Sequence, residues 1–173
     1  LNFNPTQAEV VNARQVKTFR LPFSITDPRH INRGQELNKL VDLVSTQPLH
    51  RRVWLHGESG LGKSTLAFQF VNAMNESVPV QLLVDGSTNE KFCEDIVRFG
   101  RDLKIIDEQK HKDDNFITVC HFLNGRDDWV IVVDNYSETK CSSQLDKFFS
   151  IVGKESGIVV VTSIEAPSVE AQD

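Results

Sequence analysis

The stretch that could do chemistry most directly is 57–64, which reads Gly-Glu-Ser-Gly-Leu-Gly-Lys-Ser. Its glycines permit backbone angles that are closed to other residues, so successive N–H groups can turn inward around an anion. Lys63 would reach the β and γ phosphates of a nucleoside triphosphate as a mobile charge, and the Ser64 hydroxyl would ligate magnesium. The spacing therefore predicts a phosphate-binding loop.

The surrounding sequence supplies the elements that such a loop needs. A short apolar run, 52–56, predicts a buried strand that leads into the loop, and an amphipathic helix starting near Lys63 is expected to point its positive end at the anion. Thr65 would cover the α phosphate through its backbone N–H. The alternative, a glycine-rich turn with a surface lysine, does not require this strand and helix. The residues expected to hold the phosphates are Gly57, Ser59, Gly60, Leu61, Gly62, Lys63, Ser64 and Thr65.

Asp134 ends the apolar run 129–133 and is the second candidate for chemistry. A carboxylate at the carboxyl end of a buried parallel strand lies where ligands bind in open α/β sheets, and it suits magnesium. We expect Ser64 and Asp134 to hold Mg²⁺, and Lys63 and Asp134 to be the catalytic residues; a helix-capping role for Asp134 is the alternative. Asn135 follows in place of an acid. Glu138 could reach the site only if the chain after Asp134 folds back.

Apolar runs alternate with helical patterns through the rest of the chain. This alternation predicts an α/β protein with the three-layer P-loop NTPase fold and a mostly parallel central sheet. The charged stretch 101–114 is interpreted mainly as a solvated connection. The strands are expected at 52–56, 80–84, 129–133 and 157–161. The predicted caps of the later helices are Ser87 with Glu90, then Asp114, then Ser142 or Ser143.

Composition limits the classes of function. The 173 residues carry a net charge of -5, which makes nucleic acid an unlikely partner, and the apolar runs are too short to span a bilayer. Three cysteines without C-x-x-C spacing predict inert thiols in a reducing, cytoplasmic setting. We expect 1–30 to form an extended arm or linker and 31–173 to form one nucleotide-binding domain, truncated at its C-terminal end. A chain that starts at Leu1 is taken as an excerpt from a longer one.

The order of these motifs resembles the STAND class of P-loop NTPases, and within it the NB-ARC domains of NOD-like and apoptotic-protease-activating proteins. The stretch 19–22 resembles the proline-containing arm of that family, 31–37 its hhGRExE element, 129–135 its Walker B strand and 160–163 its sensor strand. The resemblance implies that Ile31 and Arg33 flank the adenine; for Ile31 an ordinary core position, and for Arg33 support of the arm, stay open as alternatives.

The resemblance also implies a function and partners. It implies a regulatory switch that binds ADP or ATP with Mg²⁺, hydrolyses ATP slowly, and acts on flanking effector and repeat domains or through a nucleotide-dependent homo-oligomer. Ser163 is followed by Ile164, where the family usually has an arginine that reads the γ phosphate. Two other hypotheses stay open: an AAA+ module of the initiator or clamp-loader type, and a scaffold that binds nucleotide without hydrolysing it.

Overall fold

The computed structural model describes residues 33–46, 51–74, 78–153 and 155–166. The expected arm 1–30 and Ile31 lie outside these ranges, so the predictions made for them are not addressed by the fold. The elements, in chain order, are α1 Gly34–Thr46, β1 Arg52–His56, α2 Lys63–Ala73, β2 Val80–Asp85, α3 Asn89–Asp102, α4 Lys112–Leu123, β3 Trp129–Tyr136, α5 Glu138–Ile151 and β4 Ile158–Ser163.

The strands form one four-stranded sheet in the order β1-β4-β3-β2, with every pairing parallel. After β1 the chain crosses two strands to reach β2, and then steps back through β3 to β4. Because crossovers between parallel strands are right-handed, reversing the direction moves the connecting helices to the opposite face of the sheet. The predicted three-layer α/β fold with a parallel sheet is therefore confirmed.

Two hydrophobic cores, one on each face, hold the helices to the sheet. The core under α1 and α2 includes Leu40, Phe70 and the strand residue Val132. The core under α3, α4 and α5 is larger and includes Trp129 and Ile131. Neighbouring residues of β3 thus enter opposite cores, which explains why this strand is apolar at every position from 129 to 133.

The helix caps expected from the sequence are wrong at all three later helices. Thr88, and not Ser87 with Glu90, caps α3, where its side chain accepts from the Lys91 N–H at 3.3 Å. The backbone N–H of Ser87 is instead bonded to the Asp85 carboxylate at 2.8 Å, which holds this residue in the preceding turn.

The other two helices begin earlier than expected. His111, and not Asp114, is the cap of α4, and its Nδ1 accepts from the Asp113 N–H at 3.3 Å. For α5 the cap position is Ser137 and not Ser142 or Ser143, which lie inside the helix. The charged stretch 101–114 is accordingly shorter as a connection, since α3 ends at Asp102 and α4 starts at Lys112.

The three cysteines are free and buried, as expected for thiols without a pairing role. Burial raises the pKa of the Cys120 thiol to about 12, and that of Cys141 likewise to about 12. Within the described ranges, no helix is both long and apolar enough to cross a membrane.

Candidate functional site

The predicted loop lies at the carboxyl ends of the parallel strands, between β1 and α2. Gly57, Gly60 and Gly62 have φ of 140°, 84° and 77°, values that L side chains rarely adopt. Gly62 is the N-cap of α2 and makes no side-chain capping bond. The first N–H groups of α2 therefore have no side-chain cap from Gly62 and follow the loop directly, as at helix N-termini that bind phosphate.

Lys63 folds back over the loop. Its Nζ donates to the backbone carbonyls of Gly57 and Glu58, each at 2.8 Å. An ammonium held only by two carbonyl oxygens can exchange them for phosphate oxygens, which carry full negative charge and bind it more strongly. The loop thus holds the Lys63 ammonium against its own backbone.

Asp134 connects the start of α2 to β4. Its Oδ1 accepts the Ser64 hydroxyl at 2.6 Å and the Thr162 hydroxyl at 2.6 Å. A carboxylate and a hydroxyl this close are hard oxygen donors of the kind that Mg²⁺ takes beside substrate phosphates. Among the described residues no group of three His, Cys, Asp or Glu could hold a metal ion, and a nucleotide-bound magnesium needs only one or two carboxylates. Ser64 and Asp134 therefore fit such an ion.

Thr162 is the residue that the sequence reasoning did not assign. It is 1% exposed, donates to Asp134, and accepts the backbone N–H of Asn135 at 3.1 Å. The signal was present, because a hydroxyl at the end of an otherwise apolar strand needs a partner when it is buried. That partner could be named only once the strand order placed β4 beside β3.

β3 carries a bulge directly after Asp134. Asn135 has φ of 56°, and the pairing of β3 with β4 shifts register between Val133 and Tyr136. The backbone carbonyl of Asp134 accepts from Gly86 at 2.7 Å, and the Gly86 carbonyl accepts from Ser137 at 3.0 Å. A Cβ at Gly86 would lie 2.9 Å from the Cα of Tyr136, so only glycine allows this close approach.

Tyr136 ends β3 beside this bulge. Its ring meets Trp54 of β1 edge-on, with centroids 5.1 Å apart. Burial, together with the nearby carboxylates of Asp146 and Glu138, raises the pKa of Tyr136 to about 12. The ring serves as packing at this side of the site.

Arg33 also contacts the loop. Its guanidinium donates to the backbone carbonyl of Leu61, and a Cβ at Gly62 would lie 3.4 Å from the same nitrogen. This contact supports the loop from the side of α1. Whether Arg33 also flanks an adenine remains a prediction, and Ile31 lies outside the described residues.

A cleft of about 550 Å³ opens beside the loop. Six of the residues predicted to hold the phosphates line this cleft. The predicted residues Gly57, Leu61 and Asp134 are not among its lining residues. Glu138, the first residue of α5, also lines the cleft. The lining residues are Ser59, Gly60, Gly62, Lys63, Ser64, Thr65, Asn135, Tyr136, Ser137, Glu138, Thr139, Thr162, Ser163, Ile164, Glu165 and Ala166.

Comparison with known proteins finds little similarity. No family model and no curated protein matches the sequence. Among solved structures, that of C. elegans PCH-2 aligns with 13% identity and a TM-score of 0.44, over 78% of this chain and 38% of PCH-2. The chain thus spans less than half the length of that protein.

Proposed function

We propose that this chain is the nucleotide-binding switch domain of a STAND-type signalling protein, which binds ADP or ATP with Mg²⁺ and hydrolyses ATP slowly. The observation that carries the proposal is the contact between Ser64 and Asp134 at the mouth of the glycine loop. It brings together a phosphate cradle and the two oxygen donors that a nucleotide-bound magnesium requires.

On this proposal each group at the site has a separate role. The N–H groups of the loop and of α2 would bind the phosphates, and Lys63 would neutralise the β and γ phosphates after leaving the carbonyls of Gly57 and Glu58. Ser64 and Asp134 would hold Mg²⁺, which when bound neutralises charge on the phosphate oxygens. Asn135 stands where an acid next to Asp134 would activate water, which supports slow turnover.

A slow switch acts through neighbouring domains that respond to which nucleotide is bound. On this proposal they are the effector and repeat domains expected to flank the chain, or further copies of the protein, in the cytoplasm. Loss of the γ phosphate would release contacts in the cleft and so change how the neighbouring segments are ordered.

The first test is nucleotide binding by calorimetry, with ATP, ADP and GTP, with and without Mg²⁺. Lys63→Ala removes a charged partner of the phosphates and is expected to weaken ATP binding roughly 10- to 100-fold, the equivalent of about 1.5–3 kcal/mol. Lys39→Ala, a change of the same type on the exposed face of α1, serves as the matched control. If the parent chain binds neither ATP nor ADP, or if both variants behave alike, the proposal is wrong.

Thr162 favours a second candidate, an AAA+ module of the initiator or clamp-loader type. Such a module carries a polar side chain, and not an arginine, at the end of the strand next to its Walker B strand, and Thr162 has this place. This candidate predicts ATP-dependent rings and DNA-stimulated hydrolysis. Equal hydrolysis rates with and without DNA across a salt series would exclude it and leave the switch.

A further inference from the structure

Two of the residues that line the cleft carry a carboxylate, Glu138 and Glu165. Glu138 is half-buried and is the first residue of α5, so its backbone is fixed by the helix. Glu165 is exposed and lies beyond the end of β4, in a bend. Of the two, Glu138 is therefore the one whose backbone regular secondary structure places at the cleft.

The end of β3 and the start of α5 bring Glu138 to the cleft. Asn135, with its positive φ, lies in a bulge of β3, and the Ser137 N–H donates to the Gly86 carbonyl at 3.0 Å directly before α5 begins. Ser137, Glu138 and Thr139 consequently line the same cleft as Lys63 and Ser64, although they are far apart in sequence.

The neighbours of Glu138 are not suited to accept a proton. Oδ1 of Asp134 already accepts two hydroxyls, from Ser64 and Thr162. Asn135 carries an amide, which is not a useful base, and its Nδ2 donates toward Oδ2 of Asp134 at 3.5 Å. Both side chains thus take part in the hydrogen bonds around the Asp134 carboxylate, where Mg²⁺ would bind on the proposed function.

We infer that Glu138 is the general base for ATP hydrolysis, an inference that rests on the proposed function. A water oxygen attacks the γ phosphorus and forms the new P–O bond, while its proton passes to the Glu138 carboxylate. The bond between the γ phosphorus and the bridging oxygen breaks, its electron pair leaves with ADP, and the proton is then released with inorganic phosphate. Glu138 therefore replaces the acid that is missing after Asp134.

The experiment compares Glu138→Gln with Glu165→Gln, which removes the other carboxylate from the same cleft. Three quantities are measured on each: ATP and ADP affinity by calorimetry, single-turnover hydrolysis of bound ATP, and affinity for ADP with aluminium fluoride, which mimics the transferring phosphoryl group. Since general bases contribute about 10²- to 10⁴-fold, Glu138→Gln is expected to slow hydrolysis at least about 100-fold. It should also lose the extra affinity for the mimic while keeping that for ADP.

Retained ADP affinity shows that the variant is folded, and Glu138→Ala with added formate gives a second check. Recovery of hydrolysis with formate supports the inference, because a purely structural role would not respond to a small carboxylate. The inference is overturned if Glu138→Gln hydrolyses ATP at the parent rate, or if Glu165→Gln loses as much. Tight nucleotide binding by a parent chain that never hydrolyses ATP would overturn it and leave the proposed nucleotide site standing, whereas absence of all nucleotide binding overturns both.

Discussion

Thr162→Val tests the arrangement at the end of β4, because valine keeps the shape of threonine and removes only the hydroxyl. The hydroxyl makes two hydrogen bonds in a position that is 1% exposed: it donates to the Asp134 carboxylate at 2.6 Å and accepts the Asn135 N–H at 3.1 Å. A bond to a charged group contributes about 1.5–3 kcal/mol and a neutral one about 0.5–1.5 kcal/mol. We expect the free energy of unfolding to fall by about 2–4 kcal/mol.

Urea unfolding of the parent chain and two variants measures this loss. Thr162→Ser keeps both hydrogen bonds and removes one methyl group, so it should lose only about 1 kcal/mol. For a domain of this size the loss in Thr162→Val corresponds to a melting temperature lower by roughly 5–15 °C. If the valine variant proves as stable as the serine variant, Thr162 does not hold Asp134 and the proposed arrangement of the site is wrong.

Two further predictions concern packing and pH. Gly157→Ala would place a Cβ 2.1 Å from the ring of Trp129 at φ of 54°, and should lower the free energy of unfolding by about 3 kcal/mol or more. Its control is Gly125→Ala, at φ of 76° with nothing within 4 Å, which should lower it by only about 1–2 kcal/mol. Thermal unfolding measures both losses. Because burial raises the pKa of Cys120 to about 12, the folded chain keeps a proton that the unfolded chain releases above about pH 8.5. The contribution of Cys120 to the free energy of unfolding is therefore complete below that pH and is lost as the pH rises toward the pKa of the folded chain, by up to about 1.4 kcal/mol per pH unit. Urea unfolding at a series of pH values measures this slope, which Cys120→Ala should flatten. An unchanged slope would contradict the assignment.

The sequence predicted those features that depend on neighbouring residues. The strand Arg52–His56 matches its expected bounds, and the start of α2 at Lys63 matches as well. A short apolar run that ends in glycines permits few other structures, and the helix after it is fixed by its repeating apolar face. Local pattern alone was therefore enough to locate the phosphate loop.

The helix caps could not be placed in the same way, because several residues of suitable type lie close together. Ser87 and Thr88 both have a hydroxyl that can cap a helix. Thr88 is the cap, since the N–H of Ser87 is bonded to Asp85 in the preceding turn. Likewise α5 begins directly after Ser137, where the bond to Gly86 comes from a different part of the chain. Local pattern gives candidates for a cap, and contacts from distant residues decide among them.

The strand order gives β4 its place in the site, and this order depends on contacts that no local pattern contains. β4 lies between β1 and β3, and its end is bonded to β3 and to the loop: Thr162 donates to Asp134 of β3 at 2.6 Å, and the carbonyl of Ile164, the residue after β4, accepts the N–H of Gly57 in the loop at 3.2 Å. If a triphosphate draws Lys63 away from the Gly57 carbonyl, the peptide that it leaves is next to the one bonded to Ile164. A rearrangement of the loop at Gly57 would then act on the end of β4 through Ile164, as well as on α2, whose first residue is Lys63.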